Sequence, residues 1–176
     1  HRLNILGYLD LSPYGEKYWN SGNVGNADLV ASLQWVHDNI ARFGGDPENV
    51  TLFGQSGGGV KVWSLLQMPE ADGLFHKGII ESGVVDPDLL GDIEDGNGRE
   101  IVKAMLAELG LEEKGVDQLE TLPYDQLAQA YEKAAPKVAQ KGEYVGNHPH
   151  KNQSYFGDAI KHGFREETKK IPLLIG

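Results

Sequence analysis

At 176 residues, 40% hydrophobic and 24% charged, the chain has the size and composition of one globular domain with a buried core, which excludes a disordered segment. Its 16 Lys and Arg against 26 Asp and Glu leave a net charge of −10, which argues against a nucleic-acid partner. With no cysteine, neither disulfides nor thiolate-bound metal are expected; a cytoplasmic location fits, and no apolar run is long enough to cross a bilayer, so no membrane partner is expected.

The chain opens on His1 to Leu9, which reads as the interior of a fold, with residues 2–9 apolar enough for a short strand. A polar loop from Ser12 to Asn26 follows. From Ala27 to Arg42, Leu29, Val30, Leu33, Val36 and Ile40 recur at helical spacing, and Gly44-Gly45 stop that helix before the turn at Asp46 to Asn49. Val50 to Phe53 is a β-prone run. Val60 to Leu66 is helical, with Trp63 and Leu66 facing inward, and Lys77 to Glu81 is the next strand. Strand, helix, strand, helix, strand is the order of a parallel sheet with helices on its faces, an α/β class. Arg99 to Leu109 is a helix striped by Ile101, Val102, Met105, Leu106 and Leu109, with Gly110 just past its end. Tyr124 to Gln140 is a further helix that Pro136 is expected to bend or end. These helices and the loop from Gly142 to Gly157 read as an insertion over one sheet edge, so the expected division is a sheet core over 1–86, a variable helical insertion over 87–157, and a return to the sheet over 158–176. The closing Ile171 to Ile175 is another strand.

The functional signal is Phe-Gly-Gln-Ser-Gly-Gly-Gly at 53–59, in which Gly54, Ser56 and Gly58 fit G-x-S-x-G. A serine hydroxyl is a poor nucleophile unless held rigidly and exposed to a base. A sharp strand-to-helix turn provides that exposure, flanking glycines remove the Cβ atoms that would clash, and the N–H groups opening the following helix stabilise a negative oxygen. Two other readings compete. Gly54-x-x-Gly57-x-Gly59 loosely resembles a dinucleotide loop, with Glu81 where a ribose-binding acid sits, but the spacing is not G-x-G-x-x-G and no Gly-Lys-Ser/Thr follows. The third is a plain glycine-rich turn. The strand before and helix after favour the nucleophile.

Asn20-Ser21-Gly22-Asn23, Trp35 to Ile40, Phe43 to Gly54 and Ser56-Gly57-Gly58 together resemble the type-B carboxylesterases, a family that includes para-nitrobenzyl esterases and cholinesterases. Leu74 to Lys77, Glu81-Ser82-Gly83 and the final Ile-Pro-Leu-Leu-Ile-Gly continue the resemblance. It implies a partial α/β-hydrolase fold, with a mostly parallel sheet, flanking helices and a helical insertion. It further implies Ser56 as the acylated nucleophile, Gly57 as an oxyanion-hole N–H, and Ser82 as a support for the catalytic acid. Where the family has Glu-Ser-Ala, this chain has Gln55-Ser56-Gly57, so no preference for cationic substrates is expected. The family's Gly-Leu-x-Asp-Gln is replaced by Gly25-Asn26-Ala27-Asp28-Leu29. The family's His-Gly-Gly-Gly segment, catalytic acid and catalytic histidine are expected outside these residues, so the chain reads as the middle of a larger esterase. The remainder of that chain is its expected partner, and a small-molecule ester its substrate.

His37, His76 and His162 read as surface or strand-end residues. His148-Pro149-His150 suits a metal only with a third ligand, and a solvated loop is the favoured reading. Asp86, with Asp88 beyond it, is an alternate position for the catalytic acid. The tryptophans read as packing residues, with Trp19 a candidate for an acyl pocket. No cofactor or metal is implied. A non-catalytic, protein-binding relative and a nucleotide-binding domain are the alternative functions.

Overall fold

The computed structural model describes residues 1–84, 86 and 96–176. They form two compact units: one holds Asn26–Asp92 and Lys151–Gly176, the other Arg2–Gly25 and Ile93–His150.

In the first unit, three strands, β1 (Thr51–Gln55), β2 (Lys77–Glu81) and β3 (Leu173–Ile175), form a parallel sheet in the order β1-β2-β3. Phe53 pairs with Ile79, and Ile79 with Leu174, so one row of side chains crosses the sheet. Helix α3 (Gly57–Leu65) connects β1 to β2 and covers one face. Val62, Trp63, Leu65 and Leu66 turn inward onto Ile80, with Leu33, Leu74, Phe75 and Tyr155 completing the core. Trp63 and Leu66 are 7% and 0% exposed, as the helical spacing requires. The opposite row is open, with Phe53 76% and Leu174 67% exposed.

The long helix α2 (Val24–Asn39) starts three residues earlier than the sequence pattern suggests. It tightens into a 3-10 turn over Ile40–Phe43, which Gly44 closes at φ 83°. Of its expected stripe only Leu33 is buried; Leu29, Val30, Val36 and Ile40 are half-buried.

The second unit is helical. α4 (Arg99–Glu108) and α5 (Tyr124–Ala139) pack on each other, and Ile101, Val102, Met105 and Leu106 meet Leu127, Ala130, Ala134 and Val138. Gly110 sits at φ 70° just past α4, the left-handed stop expected of it. Of the two outcomes expected at Pro136, a bend or an end, the end does not occur, and one further expectation fails. Pro136 does not end α5, which continues to Ala139; the amides of the next residues have helical acceptors upstream, and Gln140 donates to the Pro136 carbonyl at 3.2 Å. Residues 2–9 are not a strand. Asn4–Tyr8 form a short helix, α1, and Ile5, Tyr8 and Leu9 are buried while Leu3 and Leu6 stay out. That is i, i+3, i+4 spacing, which so short an apolar run does not distinguish from a strand. Gly7 is needed there because a Cβ would lie 2.5 Å from the Arg2 carbonyl oxygen.

Candidate active site at the end of β1

β1 ends at Gln55 and α3 begins at Gly57, so Ser56 alone turns the chain, at φ 51° and ψ −120°. That backbone costs a residue with a Cβ about 1–3 kcal/mol and persists only where its surroundings hold it. They do: the Ser56 amide donates to the Glu81 carbonyl at 2.8 Å, and its own carbonyl accepts from Val60 at 3.0 Å. The Ser56 side chain is exposed and does not cap the helix it precedes. Gly57, as the first helical residue, has an N–H with no acceptor inside the helix. An oxygen bound to Ser56 can therefore meet that N–H at the positive end of the helix dipole.

The turn is this tight because three glycines let backbones touch. A Cβ on Gly54 would sit 2.3 Å from the Gly58 carbonyl carbon, and one on Gly59 would sit 2.9 Å from the Gly83 Cα. A Cβ on Gly83 would in turn meet the Gly59 Cα at 2.5 Å. Gly58, the last glycine of the G-x-S-x-G pattern, faces open space, and Gly57 has only the Lys61 Nζ at 4.0 Å. The steric demand thus falls on Gly59 and Gly83 rather than on Gly58. The only hint in the sequence is the third glycine of the run and the one after Ser82.

Ser82 repeats the geometry of Ser56 on the neighbouring strand. Gln55 and Glu81 are register partners, and the residue after each is an exposed serine at φ near +50°. The Ser82 amide donates to the Gly176 carbonyl, and the Gly176 amide to Ile80 at 3.1 Å, so β3 holds the end of β2. Gln55 carries no charge itself, but Glu81 lies about 4.8 Å away across the ladder, so a carboxylate still borders the strand ends.

His76 precedes β2, where its Nδ1 accepts the Val50 amide at 3.2 Å. The strand's length puts it about 20 Å from Ser56. His162 contacts the Lys151 ammonium at 3.2 Å and lines a cavity with Gln67, about 15 Å from Ser56 along α3. Neither forms a triad with Ser56. His37 pairs with Asp38 at 3.0 Å, and that hydrogen bond, with a second from Gln34, holds the Asp38 carboxyl below its usual range. In the helical unit, His148 and His150 lie against the Tyr144 ring at 4.9 and 5.8 Å. Among the described residues, no three His, Asp or Glu side chains gather to hold a metal. Asp86 is exposed, and Asp88 lies outside the described residues. Trp63 is a packing residue whose indole donates to Asp158 at 3.0 Å. Trp35 is 55% exposed against Phe43. Trp19 lines an apolar cavity of about 560 Å³ in the helical unit, together with Ile5, Leu9, Met105 and Leu127.

All of residues 1–176 match the model of the carboxylesterase family. The chain is 40% identical over its whole length to the para-nitrobenzyl esterase of Bacillus subtilis (strain 168), of which it covers 35%. It is 50% identical over 84 residues to the human cocaine esterase, covering 48% of the chain and 14% of that protein. Among solved structures, an esterase from Clostridium hathewayi, described as able to hydrolyze aliphatic aromatic polyesters, superposes with a TM-score of 0.95 at 55% identity, over all of this chain and 35% of its own. A thermophilic para-nitrobenzyl esterase superposes with a TM-score of 0.77 at 34% identity, again over all of this chain and 35% of its own. The chain spans about a third of the length of these full-coverage relatives. The parallel sheet and its helices are part of the α/β-hydrolase fold these esterases share.

Proposed function

The chain belongs to the carboxylesterase family, and on that premise we propose that it carries the nucleophile of a serine carboxylesterase, with Ser56 as the acylated residue. The observation that carries the proposal is an exposed serine at positive φ between a parallel strand and a helix, held there by glycine contacts that leave no room for a side chain.

In this reading Ser56 Oγ attacks the carbonyl carbon of a small-molecule ester while its proton passes to a histidine outside the described residues. The tetrahedral oxyanion is met by the Gly57 N–H. When the C–O bond to the alcohol breaks, the histidine returns the proton to the departing alkoxide, and water then hydrolyses the acyl-Ser56. Ser82 fixes the neighbouring strand end and supports the acid that orients the histidine. Gln55 leaves the elbow itself neutral. The histidine, the acid and the remaining oxyanion donors come from the remainder of the esterase chain, so the 176 residues are the central part of one hydrolase domain. A non-catalytic, protein-binding role has no use for a strained and exposed Ser56.

A fluorophosphonate probe tests this on the full-length protein. It should label the native enzyme at Ser56 and fail on Ser56→Ala, with ester turnover falling at least about 10³-fold. Labelling undiminished by the substitution would overturn the assignment.

A further inference from the structure

A second site stands at the far end of α3, about 15 Å from Ser56, and its chemistry is independent of ester hydrolysis. Gln67 is 1% exposed. Its Nε2 donates to the Gly163 carbonyl at 3.1 Å, and since that carbonyl only accepts, the amide orientation is fixed. Its Oε1 is therefore the free end, buried and without a hydrogen-bond partner. A buried acceptor left unpaired is destabilising, and such groups call for an explanation.

This residue lines a cavity of about 320 Å³, together with Lys151, Phe156, His162, Phe164 and Arg165. One water occupies about 30 Å³, so the space is far larger than a single bridging water needs. It matches the lower end of small-molecule pockets. The walls are fixed. The Phe156 amide donates to the Gln67 carbonyl at 3.1 Å, and Phe164 packs edge-on against Trp63 at 5.2 Å. The Arg165 guanidinium lies over the Phe156 ring and is held by both oxygens of Asp72, so its charge is already matched. Lys151 is not so matched. Its ammonium has three N–H groups, and its contact is the His162 Nε2 at 3.2 Å rather than a carboxylate.

A buried orphaned acceptor, a half-buried ammonium and two phenylalanines line the same cavity, and together they suit a ligand that carries both a hydroxyl donor and an anion. We propose that this cavity binds a small hydroxycarboxylate, its hydroxyl donating to Gln67 Oε1 and its carboxylate meeting Lys151 Nζ.

The test is calorimetric titration of the full-length protein with para-hydroxybenzoate, benzoate and para-hydroxybenzamide, which carry both groups, the anion alone and the donor alone. Para-hydroxybenzoate should bind about tenfold more tightly than either of the others. Lys151→Met should weaken para-hydroxybenzoate by about tenfold and leave para-hydroxybenzamide unchanged, a discrimination that occupancy of the Ser56 site would not show. Gln67→Leu should erase the advantage of para-hydroxybenzoate over benzoate, with its melting temperature checked because Gln67 also holds Gly163. The Lys151 variant keeps the test decisive if that one fails to fold. No binding at about 10 mM, equal binding of the three probes, or binding indifferent to Lys151→Met would each overturn the proposal, leaving the cavity as a space for water.

Discussion

The elbow unit and the helical unit are built on opposite principles. Around Ser56 the decisive contacts are backbone against backbone: Gly54 on Gly58, Gly59 on Gly83, and two serines at positive φ ending adjacent strands. In the helical unit the decisive contacts are side chains: Met105, Ile101 and Val102 of α4 are 0% exposed. A backbone contact has no smaller substitute, whereas a packed side chain can be replaced at a graded cost. On the proposed function, the first kind of construction positions the reacting atom, and the second supplies stability.

Substitutions that act on one unit and spare the other test this contrast. The largest effect is expected from Gly54→Ala, whose new Cβ must push α3 off the strand. The fluorophosphonate labelling rate should fall about 100-fold or more, since displacing a reacting group by about 1 Å has that consequence. Next is Met105→Ala, which empties fully buried volume and should cost about 2–5 kcal/mol in denaturant unfolding. The labelling rate of the folded fraction should stay unchanged. A loss of rate matching that of Gly54→Ala would show that the two units do not divide the work in this way.

Smaller again is a pH effect confined to the helical unit. Burial, reinforced by the hydrogen bonds to Glu120 and Asp117, pushes the Tyr18 phenol up from 10.0 to about 12. A raised value favours the neutral phenol in the folded state. Its contribution is therefore whole below pH 10 and is lost as pH rises from 10 to about 12. Alkaline unfolding of Tyr18→Phe should be flatter across that window. On the acid side, hydrogen bonds from Lys17 and Tyr18 hold the Asp117 carboxyl below its usual range, and those from Tyr18 and Lys17 do the same for Glu120. Their contributions are present above the ordinary carboxylate range and fade as pH falls through the lowered values. The smallest change is Gly57→Ala. Its Cβ enters nearly open space and its N–H is retained, so melting should rise by about 0.5 kcal/mol equivalent with labelling unaltered. A large loss of labelling would mean that the glycine matters to the site and not merely to the helix.

The elements that could be read from the chain are those whose signal is local and long. β2 over Lys77–Glu81 and the buried stripe of α4 came directly from apolar spacing, and Gly110 from its place after that stripe. α1 could not be read, because an apolar run of about nine residues satisfies strand and helix periods alike. The open Phe53 to Leu174 row could not be read either. Alternation along a strand does not say which face is covered.

The site divides in the same way. The strand-to-helix turn at Ser56 and Gly57 is legible because the one G-x-S-x-G match has a β-prone run before it and a helical run after it. Gly59 and Gly83 become meaningful only when α3 is laid on β2, since each is needed for the approach of the other, 24 residues away. Gln67 is the plainest case. In the sequence it is a polar residue past the end of a helix, and only the folded loop from Lys151 to Arg165 buries it and leaves its carbonyl facing a cavity. The sequence by itself determined the residue types and local turns from which the elbow is made. Which glycines must be glycine, which sheet face α3 covers, and which buried acceptor lacks a partner were decided by tertiary structure, because those properties depend on distances between segments that no local pattern encodes.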